Sequence, residues 1–263
     1  MKVSILAYHA ANILGNDYNT NDHIALIEDI KLFQEMGVVV ISASTIVAWI
    51  KGKRYLDENK NYVAITFDDG NQLDFTDSKY FEYGLQKSFY TILCQSKIKL
   101  HATSFVIASP QARKILEKTC LGGQKLLGEK WWQEAENTGI ISIENHSWDH
   151  VHPSLENVCQ KDNLKGDFSK IDCYKDADFQ IEKASNYIEN SMQNKSISLF
   201  AYPFGHYNQY LSEEYFPNCQ SQIKAAFTCD PEPVTRNTNV WKIPRYVCGA
   251  DWKSVEELKK IIA

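Results

Sequence analysis

The sequence predicts an α/β fold built around a parallel sheet. Three observations carry that prediction. Apolar runs rich in β-branched and aromatic residues recur at fairly even intervals, each is followed by a stretch with helical period, and 263 residues is a length that α/β barrels reach as one unit. Strands are expected at Val3–Ala7, Val38–Ile41, Tyr62–Phe67, Thr103–Ala108, Ile140–Glu144, Ile197–Tyr202, Ala225–Thr228 and Val240–Ile243. Ile24, Ile27, Ile30 and Phe33 place an apolar stripe on one helix, begun by Asn21 or Asp22 and stopped by Gly37. Further helices are expected over Thr45–Lys51, Lys79–Ser96, Pro110–Lys118, Lys130–Thr138, Ala177–Met192 and Ser254–Ile262. The count is near that of a (β/α) barrel with seven or eight strands, and a doubly wound open sheet gives a similar string. One catalytic domain spanning 1–263 is the expected organisation.

Hydrophobic residues make up 44% and charged residues 23%, the balance of a globular chain rather than a disordered or fibrous one. The net charge of -5, with no Lys/Arg run, leaves no electrostatic footprint for nucleic acid. The apolar start, Val3 to Tyr8, is broken by His9 and Asn12; it is too short for the core of a signal peptide or a membrane span and reads as a first buried strand. The 7 cysteines are scattered with no C-x-x-C pair, which suggests neither a disulfide framework nor a zinc knuckle. Reduced thiols in a cytoplasmic protein are the expectation.

The sharpest local signal is Val63-Ala64-Ile65-Thr66-Phe67-Asp68-Asp69-Gly70, a buried strand that ends in two adjacent carboxylates and a glycine. In parallel α/β folds catalytic groups sit at the C-terminal ends of strands. Neighbouring residues there point in different directions, so one carboxylate can bind a cation while the other faces a substrate. Taken alone, Asp-Asp-Gly is equally ordinary turn chemistry. The second signal, His146-Ser147-Trp148-Asp149-His150, also follows an apolar strand. Histidines at i and i+4 share one face of a helical turn and can reach a single ion at about 2.0–2.1 Å. One carboxylate and two imidazoles make a three-ligand site with open positions, as catalytic metals have; zinc is the first expectation, and iron, cobalt, nickel or manganese fit the same donors. A third strand end carries Phe200-Ala201-Tyr202-Pro203-Phe204-Gly205, where Pro and Gly set a stiff loop whose exposed backbone N–H can stabilise a developing oxyanion.

Taken in order, T-F-D-D-G at Thr66–Gly70, A-T-S-F-V at Ala102–Val106, H-S-W-D-H at His146–His150 and A-Y-P-F-G at Ala201–Gly205 resemble the polysaccharide deacetylase family, the NodB-like carbohydrate esterases. The resemblance spans roughly residues 60–245. It implies a distorted (β/α) barrel with about seven strands and a metal-dependent hydrolase acting on the N-acetyl or N-formyl group of an amino sugar. It also implies Asp68 as the general base, Asp69, His146 and His150 as ligands of one divalent ion, and the backbone N–H of Phe204 as the oxyanion donor. Two features depart from the pattern. The family's usual arginine is replaced by Ala201, and Arg245, after a late strand, is the candidate to supply that charge. The C-terminal Leu-x-His that furnishes a general acid is missing. In a subgroup acting on poly-N-acetylglucosamine that histidine comes from an N-terminal Tyr-His, which Tyr8-His9 resembles. This makes His9 the expected acid and His206 the runner-up.

Tyr202, Trp148 and Arg245 are the expected substrate contacts, the aromatics as platforms for a sugar ring. A carbohydrate is thus the expected partner; the sequence carries no signal for oligomeric state. Two other functions fit the same residues: hydrolysis of a non-sugar amide or O-acyl ester, and glycan binding on a scaffold that has lost catalysis, which the changes at Ala201 and the C-terminus favour and the retained Asp68, Asp69, His146 and His150 oppose.

Overall fold

A computed structural model describes residues 1–155, 166–193 and 195–263. Its centre is a curled, all-parallel sheet. The strands on its main path are β1 (Val3–Tyr8), β3 (Tyr62–Phe67), β6 (Ala102–Val106), β7 (Ile141–Asn145), β8 (Leu199–Ala201), β9 (Ala225–Phe227) and β10 (Tyr246–Val247), in the spatial order β10-β1-β3-β6-β7-β8-β9. The short β2 (Val39–Val40) lies beside the start of β3. Ile243 bridges Phe227 of β9, and three residues later Tyr246 pairs with Leu6 of β1. The segment 243–247 therefore joins the two edges of the sheet, which makes the distorted (β/α) barrel.

Strand alternation divides the apolar residues between two faces. Ile5, Ala64, Phe105, Ala201, Phe227 and Ile243 share the interior cluster, closed at the strands' N-terminal ends by α2 (Ala43–Ile50). Leu6, Ile65, Val106, Phe200 and Tyr202 belong to the outer cluster under the helices. Those helices include α1 (Asp22–Met36), α4 (Pro110–Thr119), α5 (Trp132–Asn137) and α8 (Val255–Ile262). Helix α1 begins where the Asn21 side chain accepts the His23 N–H and stops at Gly37, whose φ of 65° suits a left-handed cap.

Three expectations fail locally. The run Lys79–Ser96 is a small hairpin, β4 (Ser78–Lys79) with β5 (Leu85–Gln86), followed by the short helix α3 (Phe89–Cys94). Gly84 turns the hairpin at φ 79°, and the Ser88 side chain caps α3 by accepting the Thr91 N–H. The helix expected over Ala177–Met192 begins earlier and breaks into α6 (Tyr174–Gln180) and α7 (Glu182–Ser191). At the break the carbonyls of Gln180 and Ile181 are taken by the Trp148 N–H and the Asn145 side chain. The strand expected at Val240–Ile243 reduces to the single bridge at Ile243. Asn239 accepts from the N–H groups of Trp241 and Lys242 and turns the chain there, so the last strand forms later, at β10.

No helix among the described residues is long and apolar enough to cross a membrane. Cys94, Cys120, Cys173, Cys219, Cys229 and Cys248 are free thiols. Cys159 and much of the long connection His152–Lys175 lie outside the described residues.

Candidate active site

Strands β1, β3, β7 and β8 all end at the same rim of the barrel. Asp68 and Asp69 follow β3, and the backbone changes hand between them: Asp69 has φ 77° and Gly70 φ 69°. A Cβ at position 70 would lie 2.7 Å from the Val106 side chain, so glycine alone fits this approach. Asp68 continues the inward face of Ala64 and Thr66, while Asp69 swings to the rim.

In the interior Asp68 meets Arg245, which is fully buried. Arg245 Nη1 donates to Asp68 Oδ1 at 2.7 Å and Nη2 to Oδ2 at 2.8 Å, a two-pronged ion pair. Nη1 also donates to Thr66 Oγ1 at 3.1 Å, and Nε to the Thr228 carbonyl at 3.0 Å. Burial alone would push the Asp68 carboxyl up; Arg245, helped by His146 and His9, outweighs it and holds the group well below the usual carboxylate range. Arg245 is thus the cation paired with Asp68, in a chain that has Ala201 where the family resemblance leads one to expect an arginine. It enters from the edge-joining segment, and its guanidinium lies 5.5 Å from the Phe105 ring centre, in the cluster that contains Ala201. With no exposed surface, it does not meet the expectation of a substrate contact.

His146 and His150 converge on Asp69, although not through a helical turn. The segment after β7 is an irregular turn with Ser147 at φ 72° and His150 at φ 64°, held by Ser147 N–H to Asn145 Oδ1, His150 N–H to Ser147 Oγ and Val151 N–H to Asp149 Oδ1. Such left-handed residues cost of order 1–3 kcal/mol each and persist only where the surroundings dictate them. His146 Nδ1 donates to the Ala201 carbonyl at 2.9 Å, which fixes the tautomer and leaves the Nε2 lone pair directed at Asp69, 3.6 Å from its Oδ1. His150 Nε2 lies 3.4 Å from the same oxygen. Burial, then the neighbouring His146, pushes the His150 imidazole down to about 3 against the pull of Asp69. One carboxylate oxygen and two imidazole nitrogens, all within 4.8 Å of one another, fit a divalent metal ion in number and in donor chemistry.

Phe204 sits at φ 57° after β8. The N–H groups of Gly205 and His206 bond to the Tyr202 and Pro203 carbonyls, whereas that of Phe204 has no acceptor among the described residues. Its ring stands edge-on to His150 at 4.4 Å. His9 directly follows β1, beside Asp68, whose N–H bonds the Tyr8 carbonyl at 3.1 Å. Its own N–H is anchored on Asp22 Oδ2 at 2.8 Å, and Asp22 is held in turn by Asn12. Asp22 reads in sequence as helix-start chemistry; nothing there reveals its reach to His9. His206 lies beside the exposed Phe204 ring, 5.4 Å between ring centres, with its Nδ1 3.7 Å from Asp167.

The two expected sugar platforms are elsewhere. Tyr202 alternates to the outer face, fully buried, with its hydroxyl on the Trp241 carbonyl at 3.0 Å. Trp148 turns outward against Phe179 and Tyr187, with the Lys183 ammonium 3.9 Å above its ring. A wall of the site that the sequence did not single out is made by Ile107, Leu116, Leu121 and Leu127, beside Asp69 and His150.

Residues 56–215 match the family described as polysaccharide deacetylase, and the chain belongs to that family. His9 and Arg245 both fall outside the matched span. Among solved structures it is similar to a de-N-acetylase from Aggregatibacter actinomycetemcomitans, at 18% identity over 100% of both chains with a TM-score of 0.67. The Streptococcus pyogenes deacetylase PplD in complex with acetate matches at 17% identity over 100% of this chain and 99% of that one, TM-score 0.65. IcaB from Ammonifex degensii matches at 15% identity over 94% and 91%, TM-score 0.63. No curated protein matches the sequence.

Proposed function

We propose that this chain, as one catalytic domain over 1–263, is a metal-dependent hydrolase that removes an N-acetyl or N-formyl group from an amino sugar or glycan precursor. The observation that carries the reading is the convergence of Asp69, His146 and His150 beside a buried Asp68 already paired with Arg245. Family membership and the acetate-bound and de-N-acetylase neighbours support it.

Asp69, His146 and His150 would hold the ion, zinc by first choice. A divalent ion held there supplies Lewis-acid polarisation of the acyl carbonyl and lowers the pKa of water. Asp68, kept ionised and oriented by Arg245, accepts the proton of the attacking water, a role worth roughly 10²–10⁴-fold. The unpaired Phe204 N–H receives the negative charge that develops on the carbonyl oxygen. His9, on the Asp68 side of the rim, hands a proton to the departing nitrogen, since an amide anion is too basic to leave. Water and amide thereby become carboxylate and free amine. A reducing, cytoplasmic setting belongs to the same reading, supported by the free thiols.

With Tyr202 and Trp148 turned away from the rim, the sugar half of the reading rests on the family rather than on a stacking platform, and a non-sugar amide or an O-acyl ester remains the second reading. Metal analysis combined with mass spectrometry of acetate or formate loss from nucleotide sugars, lipid-linked sugars and chito-oligosaccharides tests the proposal. No loss from any substrate by the metal-loaded protein would refute it.

A further inference from the structure

His9 stands near the head of a short segment in which every carbonyl from Tyr8 to Asn12 is taken. The Tyr8 carbonyl accepts the Asp68 N–H at 3.1 Å, that of His9 accepts from Asn12 at 2.9 Å, and that of Asn12 accepts from Asp22 at 3.2 Å. The other two meet side chains: Ala10 accepts from His23 Nε2 at 3.0 Å, and Ala11 from the Tyr80 hydroxyl at 2.9 Å. Burial drives the His23 imidazole down to about 4, so the ring is neutral near neutral pH and donates through Nε2. With its backbone groups matched in this way the segment holds one path, which fixes where the His9 side chain begins.

Asp22 closes the segment on itself. It lies in the first turn of α1, 1% exposed, and its two oxygens are divided: Oδ2 accepts the His9 N–H at 2.8 Å and Oδ1 accepts Asn12 Nδ2 at 2.5 Å. Both partners are donors, so the position calls for two acceptor oxygens; an amide there offers one oxygen and turns its NH₂ on the other donor. The helix dipole favours an acid in this turn but is served as well by an exposed one, so it leaves the burial against His9 unexplained. Burial raises the Asp22 carboxyl above the usual range, and the His9 N–H and imidazole oppose it. At Asp68 burial is overcome by Arg245, with His146 and His9 assisting. The His9 imidazole therefore stands near two buried carboxylates, of which the function described above uses only Asp68.

Resting on the function proposed above, with His9 as the acid, we propose that Asp22 and Asn12 are positioning residues for proton delivery: together they set the His9 backbone so that its imidazole reaches the departing nitrogen. Asp22 takes no part in the transfer itself. The proton passes from His9 to the nitrogen as the C–N bond breaks, while Asp68 holds the proton taken from water, and carboxylate and free amine leave.

The test compares two leaving groups on zinc-loaded protein. Amine release from an N-acetylated chito-oligosaccharide needs the acid, whereas p-nitrophenyl acetate expels a phenolate that departs without a proton. His9→Gln should lower the amide-to-ester ratio of kcat by roughly 10²–10⁴-fold. Asp22→Asn should lower it by up to about 10²-fold, the effect of a displacement near 1 Å, with zinc content and the KM for oligosaccharide unchanged. A role in folding alone lowers both activities together and leaves the ratio where it was. Adding Asn12→Asp to Asp22→Asn again gives each donor an oxygen and should return most of the ratio, although Asn12→Asp by itself sets two carboxylates face to face and should lower it. Should Asp22→Asn fail to fold, Asn12→Ala, which frees one Asp22 oxygen and strands no donor, gives the same change in smaller measure. Hydrogen exchange at the His9 N–H in metal-free protein reads the geometry apart from turnover: it should quicken in Asp22→Asn and slow again in the double variant. An unchanged ratio in His9→Gln removes His9 as the acid, and this inference with it. A ratio lowered in His9→Gln but unchanged in Asp22→Asn and Asn12→Ala overturns the positioning role and leaves the acid in place. Exchange as slow in Asp22→Asn as in wild type overturns it whatever the turnover.

Discussion

Replacing Arg245 by methionine keeps most of the side chain's volume and removes the only cation bonded to Asp68 among the described residues. The carboxylate, 3% exposed, would be left charged in the barrel interior, with the Thr228 carbonyl also losing the Arg245 donor and Thr66 Oγ1 keeping its bond to the Leu6 carbonyl. Breaking a buried pair in this way costs about 3–5 kcal/mol, a large part of a typical total of roughly 5–15 kcal/mol. For a chain of this size that is a fall in Tm of roughly 6–20 °C. The sign with pH is fixed by the direction of the shift. In the native protein Asp68 is depressed, so its contribution is present above the unfolded carboxylate pKa of about 3.9 and is lost as pH falls. Without Arg245 burial dominates and raises the group, so the penalty is full at neutral pH and vanishes as Asp68 protonates. The deficit of Arg245→Met against wild type should therefore shrink on acidification, and the double variant with Asp68→Asn should be less destabilised than the sum of the singles. Urea unfolding of metal-stripped protein at several pH values measures all of this. A loss below about 1 kcal/mol at neutral pH, unchanged on acidification, would refute the idea that this pair organises the site. In Arg245→Ala, which does open the space beside Phe105, adding Ala201→Arg should return part of the lost turnover.

His146→Ala and His150→Ala should each abolish tight metal binding and turnover together; full metal occupancy in either, by elemental analysis, would displace that residue from the ligand set. Asp68→Asn should retain the metal and lose roughly 10²–10⁴-fold in kcat, whereas equal loss of metal would mean that the two aspartates have exchanged roles. His9→Gln should lower turnover by orders of magnitude at unchanged metal content; His206→Gln, at a residue whose imidazole faces Asp167, should not, and the reverse pattern would move the acid to His206. Glu144, driven by burial up to about 7, accepts the Ser198 and Leu199 N–H groups on one oxygen, so Glu144→Gln can keep both bonds. The native protein should lose about 3 kcal/mol of stability as pH rises from 4.5 through 7, and the variant should lose less; parallel stability curves would show that Glu144 is not buried as a neutral acid.

The sequence by itself determined the strands that carry the site and the residues at their ends. Tyr62–Phe67 is continuous and apolar because both faces of a parallel strand are covered, and it ends where Asp68, Asp69 and Gly70 cannot continue it. The same reasoning located His146, His150 and Phe204, since β-branched runs followed by turn chemistry are local signals. Tertiary structure decided everything that depends on which face a residue takes or what arrives from a distant segment. Tyr202 is one residue past the inward Ala201 and so falls on the outer face, where its aromatic character serves the core rather than a sugar. The Asn239 turn moves the last strand from Val240–Ile243 to Tyr246–Val247, and only that displacement carries Arg245 between the two sheet edges and onto Asp68, 177 residues away in sequence. Likewise the spacing of His146 and His150 suggests a helical face, but side-chain bonds from Asn145, Ser147 and Asp149 wind the segment into a left-handed turn that brings the same two imidazoles together. Local propensity fixes where a chain must end a strand; the closure of the sheet fixes which distant charges meet there.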